Sequence, residues 1–174
     1  MTRRHRLIRG GLVALVCISG PAWAGLFTDP NPDWTEGEYE IPASSRDATL
    51  REIETDGKSR NRFLVDENSL SVGGDGVVRY VMLARGGGGA ENSTYEGIRC
   101  ETREWRIYAT GRPGGQWANV RDDSWKPIVD NAYNRPRAVL ANDYFCDGAV
   151  VPRNRDEVLR RLRGIDHRRL NPNP

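Results

Sequence analysis

The sequence predicts an α+β domain: an antiparallel β-sheet meander, then short helices, with one disulfide. β-Forming residues dominate between residues 61 and 120, where short glycine-rich turns separate them. Such turns leave no room for the crossover helices that parallel strands require. Helical spacing appears only after residue 139, and two cysteines remain once an N-terminal leader is removed. Strands followed by helices are typical of the α+β class.

Residues 1–24 are predicted to be an export signal. Four arginines precede a short apolar stretch, Leu12–Ile18, and Ala22-Trp23-Ala24 forms a cleavage site before Gly25. The apolar stretch is too short to span a bilayer as a helix. We therefore expect a cleaved protein in the periplasm, with surface display as the alternative.

Two other export routes remain as weaker alternatives. A twin-arginine signal expects a hydrophobic residue where Arg6 stands, and a lipidated Cys17 expects a small residue where Val16 stands. The general secretory route with an unmodified N-terminus near Gly25 is therefore favoured.

Removing the leader changes the charge balance of the chain. The full chain has a formal net charge of +2, but four of its 26 basic residues lie in the leader, which leaves 22 basic against 24 acidic residues. This balance argues against nucleic-acid binding. Residues 151–174 are predicted to form a basic C-terminal helix and tail, either solvated or in weak contact with an anionic surface.

Residues 25–60 are predicted to form an extended N-terminal arm. Prolines at positions 30 and 32 disfavour a helix there, and we expect Trp34 and Ile41 to anchor the arm to the body. Residues 45–53 fit either a short helix or a continuation of the arm.

Residues 61–150 are predicted to form the sheet domain. The first strand covers residues 62–66, and Asp66–Leu70 fits a turn with a single helical step. A glycine turn at residues 73–76 leads into a full strand over Val77–Ala84, and Gly86–Gly89 fits a loop between strands.

The remaining predicted strands are one long β-forming run and two short segments after it. Residues 93–110 predict an almost unbroken strand whose apolar phase changes between Cys100 and Trp105, which indicates a bulge or bend. Short strands are expected near Trp117 and Trp125. Two helices follow, one over residues 139–145 and one over 155–162, the second capped by Asn154.

Cys100 and Cys146 are expected to form a structural disulfide. They are an even pair in an oxidising compartment and lack the close spacing of redox motifs. The chain-entropy model gives about 4 kcal/mol for a loop of this size. A redox-active pair is the alternative, and it would need thiolate activation.

The sequence lacks residues that several kinds of catalytic and metal-binding site require. His5 leaves with the leader and His167 stands in the C-terminal tail, so a histidine-based triad or a zinc centre is not expected. Asp29, Asn31 and Asp33 are spaced as in an EF-hand loop, but Trp34 occupies the position that needs glycine. We therefore expect no metal and no cofactor.

Carboxylates and tryptophans are the remaining candidates. Acidic residues near the long strand could act as an acid–base pair for glycan cleavage, but interleaved arginines favour a lattice of solvated ion pairs: Glu96, Glu101, Glu104, Asp122 and Asp123 among Arg99, Arg103 and Arg106. Trp34, Trp117 and Trp125 lie in turn-rich segments. They fit either burial against the sheet or an exposed surface for a sugar or a peptide.

Short stretches across most of the chain after the leader carry a family resemblance: Asn61-Arg62-Phe63, Ser69-Leu70-Ser71-Val72-Gly73, Asp75-Gly76-Val77-Val78-Arg79-Tyr80, Tyr95-Glu96-Gly97-Ile98-Arg99-Cys100, Tyr108-Ala109-Thr110-Gly111 and Tyr144-Phe145-Cys146. With Trp34, Trp117 and Trp125, they resemble the cryptic-neisserial-protein-like family of uncharacterised proteobacterial envelope proteins. The resemblance implies a periplasmic or surface-facing protein and brings no known activity or catalytic residue. A looser likeness to Gram-negative surface-adhesin domains is a fold-level analogy only.

These observations favour a non-enzymatic exported envelope protein, with a binding or interaction role. Its expected partner is an envelope protein or a glycan. A weak periplasmic hydrolase built on carboxylates and a purely structural envelope component are the alternatives.

Overall fold

The computed structural model describes residues 29–43, 49–55 and 59–164. The predicted signal peptide, including Cys17, and the end of the predicted tail, including His167, lie outside the described residues.

Within the described residues, seven strands form one antiparallel sheet. The first six are β1 (Leu50–Ile53), β2 (Arg62–Val72), β3 (Val77–Arg85), β4 (Glu91–Arg99), β5 (Glu104–Gly111) and β6 (Trp117–Asn119). They lie side by side in chain order, and a two-residue strand, β7 (Lys126–Pro127), also pairs with β5. The predicted antiparallel meander is therefore confirmed.

The glycine turns lie where the sequence predicts them. Residues 73–76 join β2 to β3, where Gly73 N–H donates to Val77 O, and Gly76 has a positive φ of 78°. Residues 86–89 lie between β3 and β4. β1 falls inside the segment 25–60, for which the sequence predicts an arm, and it pairs with β2.

The long strand predicted over residues 93–110 is wrong, because the chain reverses direction within it. β4 and β5 are separate antiparallel strands, and Arg103 in the turn between them has a φ of 54°. The phase change between Cys100 and Trp105 therefore marks a hairpin. Arg103 N–H donates to Cys100 O over 3.3 Å, which closes a turn that contains neither glycine nor proline.

The turn predicted at residues 66–70 is also wrong. These residues belong to β2, where the register with β3 shifts between Asp66 and Ser71. The Ser69 hydroxyl donates to Asp66 O and accepts from Val81 N–H, both over 2.7 Å. Side-chain hydrogen bonding thus replaces the missing ladder bond at a β-bulge.

The helices confirm the prediction of short helical elements near the C-terminus. α1 (Arg135–Val139) continues into a π-helical turn at Leu140–Phe145, and α2 covers Arg155–Leu162. The predicted cap is present, because Asn154 Oδ1 accepts from Glu157 N–H over 3.0 Å. No helix in these described ranges has the length and apolar character needed to cross a bilayer.

The sheet is buried on both faces. We call the side covered by α1, the π-helical turn and α2 the helix face; its core includes Val78, Tyr80, Ile98, Trp105, Phe145 and Val158. The opposite side carries a smaller core: Leu64, Val81, Leu83, Tyr95, Tyr108 and Ala109. Residues 29–43, which we call the N-terminal strap, contact that second side through the bonds described below. We therefore call it the strap face.

The predicted disulfide joins the sheet to the helical layer. Cys100 and Cys146 are bonded and buried, with their Cα atoms 5.6 Å apart. The π-helical turn ends directly before Cys146, so the bond holds the C-terminal end of that turn against the β4–β5 hairpin.

Candidate functional site

Two arginines flank a glycine across the centre of the strap face. Arg79 on β3 pairs in register with Gly97 on β4, and Gly97 pairs with Arg106 on β5. Neighbouring strands lie about 4.8 Å apart, so the two arginine backbones stand about 10 Å apart, and Gly97 contributes no side chain between them. A Cβ added at Gly97 would lie 2.5 Å from Tyr108 Oη. We call this arrangement of Arg79, Gly97, Arg106 and Tyr108 the arginine cleft.

The strap inserts a carboxylate into the arginine cleft. Glu36 accepts from Arg79 Nη2 over 3.0 Å, from Arg106 Nη1 over 2.6 Å and from Tyr108 Oη over 2.5 Å. The Arg79 side chain is 2 % exposed, while those of Glu36 and Arg106 are each 15 % exposed. One acid on the strap thus meets three donors on the sheet.

Burial and charge set the ionisation of the arginine cleft. Burial opposes the charge of Arg79, but hydrogen bonds to Asp75 and Glu36 and attraction to the charge of Asp75 raise its pKa above the ordinary value. Burial and the hydrogen bond to Glu36 raise the pKa of Tyr108. At neutral pH the cleft therefore holds a cationic Arg79 and a neutral phenol that donates.

Asp75, in the turn between β2 and β3, ties the cleft to the strap. Its carboxylate accepts from Arg79 Nη2 over 2.5 Å and from the Gly37 N–H over 2.9 Å. Its backbone carbonyl accepts from Trp34 Nε1 over 2.8 Å. Burial alone would raise the pKa of Asp75, but hydrogen bonds from Arg79 and two backbone N–H groups outweigh it and lower the pKa.

The beginning of the strap is held by Arg99. Asp29 accepts from both terminal nitrogens of this arginine, over 2.7 and 2.9 Å. The guanidinium of Arg99 also lies 4.1 Å from the Trp34 ring centre, within cation–π range. The Asp29 carboxylate, the first ligand position of the EF-hand-like spacing, is thus engaged by a cation.

The three predicted tryptophans occupy two separate places. Trp34 and Trp125 meet edge to face, with ring centres 5.8 Å apart. Trp117 lies on β6, and its Nε1 donates to Pro42 O over 2.7 Å. All three are half-buried. Trp34 and Trp117 therefore clamp the two ends of the strap, and Trp125 extends only the first contact.

The prediction that Glu96 belongs to a solvated lattice is wrong. Glu96 is fully buried on the helix face, where Arg137 Nε and Nη2 donate to it over 2.8 and 2.6 Å. Tyr80 Oη donates over 3.0 Å and Thr94 Oγ1 over 2.6 Å. Burial opposes the charge of Arg137, but attraction to Glu96 raises its pKa. The second half of β4 is buried on both faces, so its charged residues Glu96 and Arg99 pair inside the fold.

Other predicted carboxylates pair with cations nearer the surface. Glu101 accepts from Arg99 over 3.2 Å, and Asp123 accepts from Arg106 over 2.9 Å. A hydrogen bond from Lys126 lowers the pKa of Asp122. Among the residues the structure describes, no group of three or more His, Cys, Asp or Glu is placed to hold a metal ion.

The sequence does not predict the arginine cleft. Glu36 lies 43 residues from Arg79 and 70 from Arg106 along the chain, and no local pattern connects them. The one usable signal is Gly97, a glycine inside a β-forming run, which indicates a bulge or a close approach to the backbone.

A sequence model described as the CNP1-like family matches residues 29–163, well over half of the chain. The match begins at the first residue of the strap and ends directly after α2, so it contains both faces of the sheet. No curated protein and no solved structure matches this chain.

Proposed function

The chain belongs to the CNP1-like family, and on that premise we propose that it is an exported, non-enzymatic binding protein of the cell envelope. We propose the strap face as its contact surface and an envelope protein or glycan as its partner.

The proposal depends on two properties of the strap: it is positioned on the sheet by non-covalent contacts, and it exposes apolar side chains. Tyr39 is 41 % exposed and Ile41 is 43 % exposed. A shallow depression of about 540 Å³ is lined, among the described residues, by Glu38, Tyr39 and Glu40. Aromatic residues held in a fixed position are the usual centres of protein and sugar contacts, because little conformational entropy is lost on binding.

The half-buried tryptophans support the same surface. Trp34 and Trp125 stand at the beginning of the strap beside Arg99 and Arg106. Tryptophan and arginine are enriched at binding hot spots. Trp117 holds the other end of the strap and in this proposal supports the contact surface.

Several candidate carboxylates are paired with arginines, and this favours binding over catalysis. An acid–base pair for glycan cleavage needs two carboxyl groups facing a shared space, one of them protonated. Glu96 is enclosed by Arg137, and Asp123 is paired with Arg106. If Glu104→Gln or Asp123→Asn abolished turnover of a glycan without unfolding the protein, the hydrolase alternative would replace this proposal.

Export is tested separately from binding. We expect periplasmic fractions to contain a chain that begins near Gly25 and carries no lipid, measured as intact mass. A diacylglyceryl cysteine at the N-terminus would place the protein on a membrane instead. The basic segment after residue 151 would then add only a weak contact with an anionic surface.

The binding proposal is tested by photo-crosslinking in intact cells. A photoreactive amino acid at Tyr39 should capture a defined partner, and Trp125→Ala should reduce that capture. The control position is Tyr133, which is 68 % exposed and packs against Trp105 of the helix-face core. Equal capture at Tyr39 and Tyr133, or none at Tyr39, would reject the strap face as the contact surface.

A further inference from the structure

We propose that the arginine cleft is a carboxylate-binding site that takes an aspartate or glutamate side chain from an extended segment of a partner protein, in place of Glu36. This inference rests on the proposed binding function and names the chemistry that the strap face would recognise.

The sheet alone builds the cleft. Arg79, Gly97 and Arg106 are fixed by cross-strand register in three adjacent strands, and Tyr108 follows on β5. Gly97 leaves room for the Tyr108 phenol between the arginines, since a Cβ there would lie 2.5 Å from Tyr108 Oη. The sheet therefore sets the backbone positions of these residues, and Asp75 and Asp123 pair with the two guanidinium groups independently of the strap.

Glu36 reaches the cleft as the side chain of a bound peptide would. None of the described strap residues, 29–43, belongs to a strand of the sheet. The strap is held by contacts that an incoming peptide could also make: the Asp29 ion pair, the Trp34 indole, the Glu36 carboxylate and the Gly37 N–H. A partner peptide could therefore compete with the strap for these contacts on the sheet.

The cleft offers more donors than Glu36 uses. The Nε atoms of Arg79 and Arg106 are buried and have no hydrogen-bond partner within the described residues. A carboxylate that enters at a slightly different angle could accept from these atoms, and side-on Nε–Nη contacts are a favoured arginine–carboxylate geometry.

The charges around the cleft favour a monoanion. Arg79 is paired with Asp75 and Arg106 with Asp123, so the two cations are already balanced by two acids. Glu36 adds one negative charge to this balanced set. A second negative charge, as on a phosphate, would be repelled by both aspartates, which favours a carboxylate as the ligand.

The first test uses acetate as the probe and the full mature chain carrying Glu36→Ala. We expect 100 mM acetate to raise the melting temperature of this variant by about 3 °C relative to chloride at equal ionic strength. The wild type should shift by less than about 1 °C, because Glu36 already fills the cleft. Equal shifts in the two proteins would overturn the proposal. If Glu36→Ala does not fold, Glu36→Ser, whose short side chain also leaves the cleft unfilled, replaces it under the same criterion.

The second test uses a labelled peptide with the sequence of residues 29–43. It should bind the Glu36→Ala protein about tenfold more tightly than the same peptide with glutamine at position 36, measured by fluorescence anisotropy. Affinities within twofold of each other would reject carboxylate recognition. A partner captured in cells at Tyr39, with no acetate or peptide effect, would leave the binding function standing and overturn the cleft as its site.

Discussion

The two faces of the sheet contain the same three side-chain types, but the acid and the arginine come from opposite layers on the two faces. On the helix face the sheet supplies the acid, Glu96, and the covering helix supplies Arg137. On the strap face the sheet supplies Arg79 and Arg106, and the covering strap supplies Glu36. On each face a sheet tyrosine also donates to the carboxylate.

The faces differ in how firmly the cover is attached. Glu96 is fully buried, and the helical layer is also held by the bond between Cys100 and Cys146. The Glu36 side chain is 15 % exposed, and its strap is held by non-covalent contacts. Removing a buried charge leaves its partner unpaired, whereas Arg79 and Arg106 keep Asp75 and Asp123 as partners when Glu36 is removed. We infer that the helical layer is required for the fold, whereas the strap can detach from the sheet.

Loss of the buried acid Glu96 should destabilise the protein most. Glu96→Gln should lower the free energy of unfolding by about 3–5 kcal/mol, because it leaves the charge of Arg137 buried without a counter-charge. The matched control is Glu36→Gln, which should cost about 1 kcal/mol since Arg79 and Arg106 keep their aspartate partners. Urea unfolding measures both. Similar losses in the two variants would remove the distinction between the faces.

Removing the disulfide should affect the helix face next most strongly. The two cysteines are 46 positions apart, so Cys100→Ser with Cys146→Ser should cost about 4 kcal/mol in the chain-entropy model. In the native protein, alkylation before reduction should label neither thiol of the described domain. Full labelling without reduction would contradict the role of the disulfide in holding the π-helical turn.

Filling the arginine cleft should have an intermediate effect. Gly97→Ala should destabilise the protein by about 1–3 kcal/mol, because the new Cβ would lie 2.5 Å from Tyr108 Oη and displace the phenol from Glu36. Gly88→Ala is the control, since a Cβ added at Gly88 would meet no heavy atom within 4 Å. Thermal melts of the two variants should differ by several degrees, and matching melts would show that Gly97 does not define the cleft.

Acid should release the strap from the sheet, and we expect the accompanying loss of stability to be the smallest of these changes. The pKa of Asp75 is lowered in the fold from the ordinary 3.8. The stability it contributes is therefore fully present above that value and is lost as the pH falls through the lowered pKa. Trp34 fluorescence between about pH 5 and pH 2 should report the release. Asp75→Asn should be less stable than the wild type at neutral pH and less sensitive to acid. If this variant loses the strap over the same pH range as the wild type, another group controls the release.

Local patterns predict the sheet and its stabilisation well. The antiparallel order, the two glycine turns, the Asn154 cap and the Cys100–Cys146 bond each depend on short-range chemistry or on cysteine number. The β4–β5 hairpin is missed because its turn contains no glycine or proline. Arg103 adopts the positive φ there, which sequence pattern assigns to glycine.

The candidate site could not be predicted because its contacts are long-range. Glu96 looks like a surface residue beside arginines, but β4 is covered on both faces, and Arg137 arrives from 41 residues away. Glu36 likewise looks like one acid among several in a polar arm. Which acid is buried depends on where each covering layer docks, and periodicity along one strand does not contain that information.

Amide hydrogen exchange in the Glu36→Ala variant tests most directly whether the strap detaches independently of the helical layer. We expect faster exchange within residues 29–43, including the Gly37 amide that donates to Asp75, with protection of residues 135–145 unchanged. Equal loss of protection in both segments, or no change in the strap, would contradict this expectation.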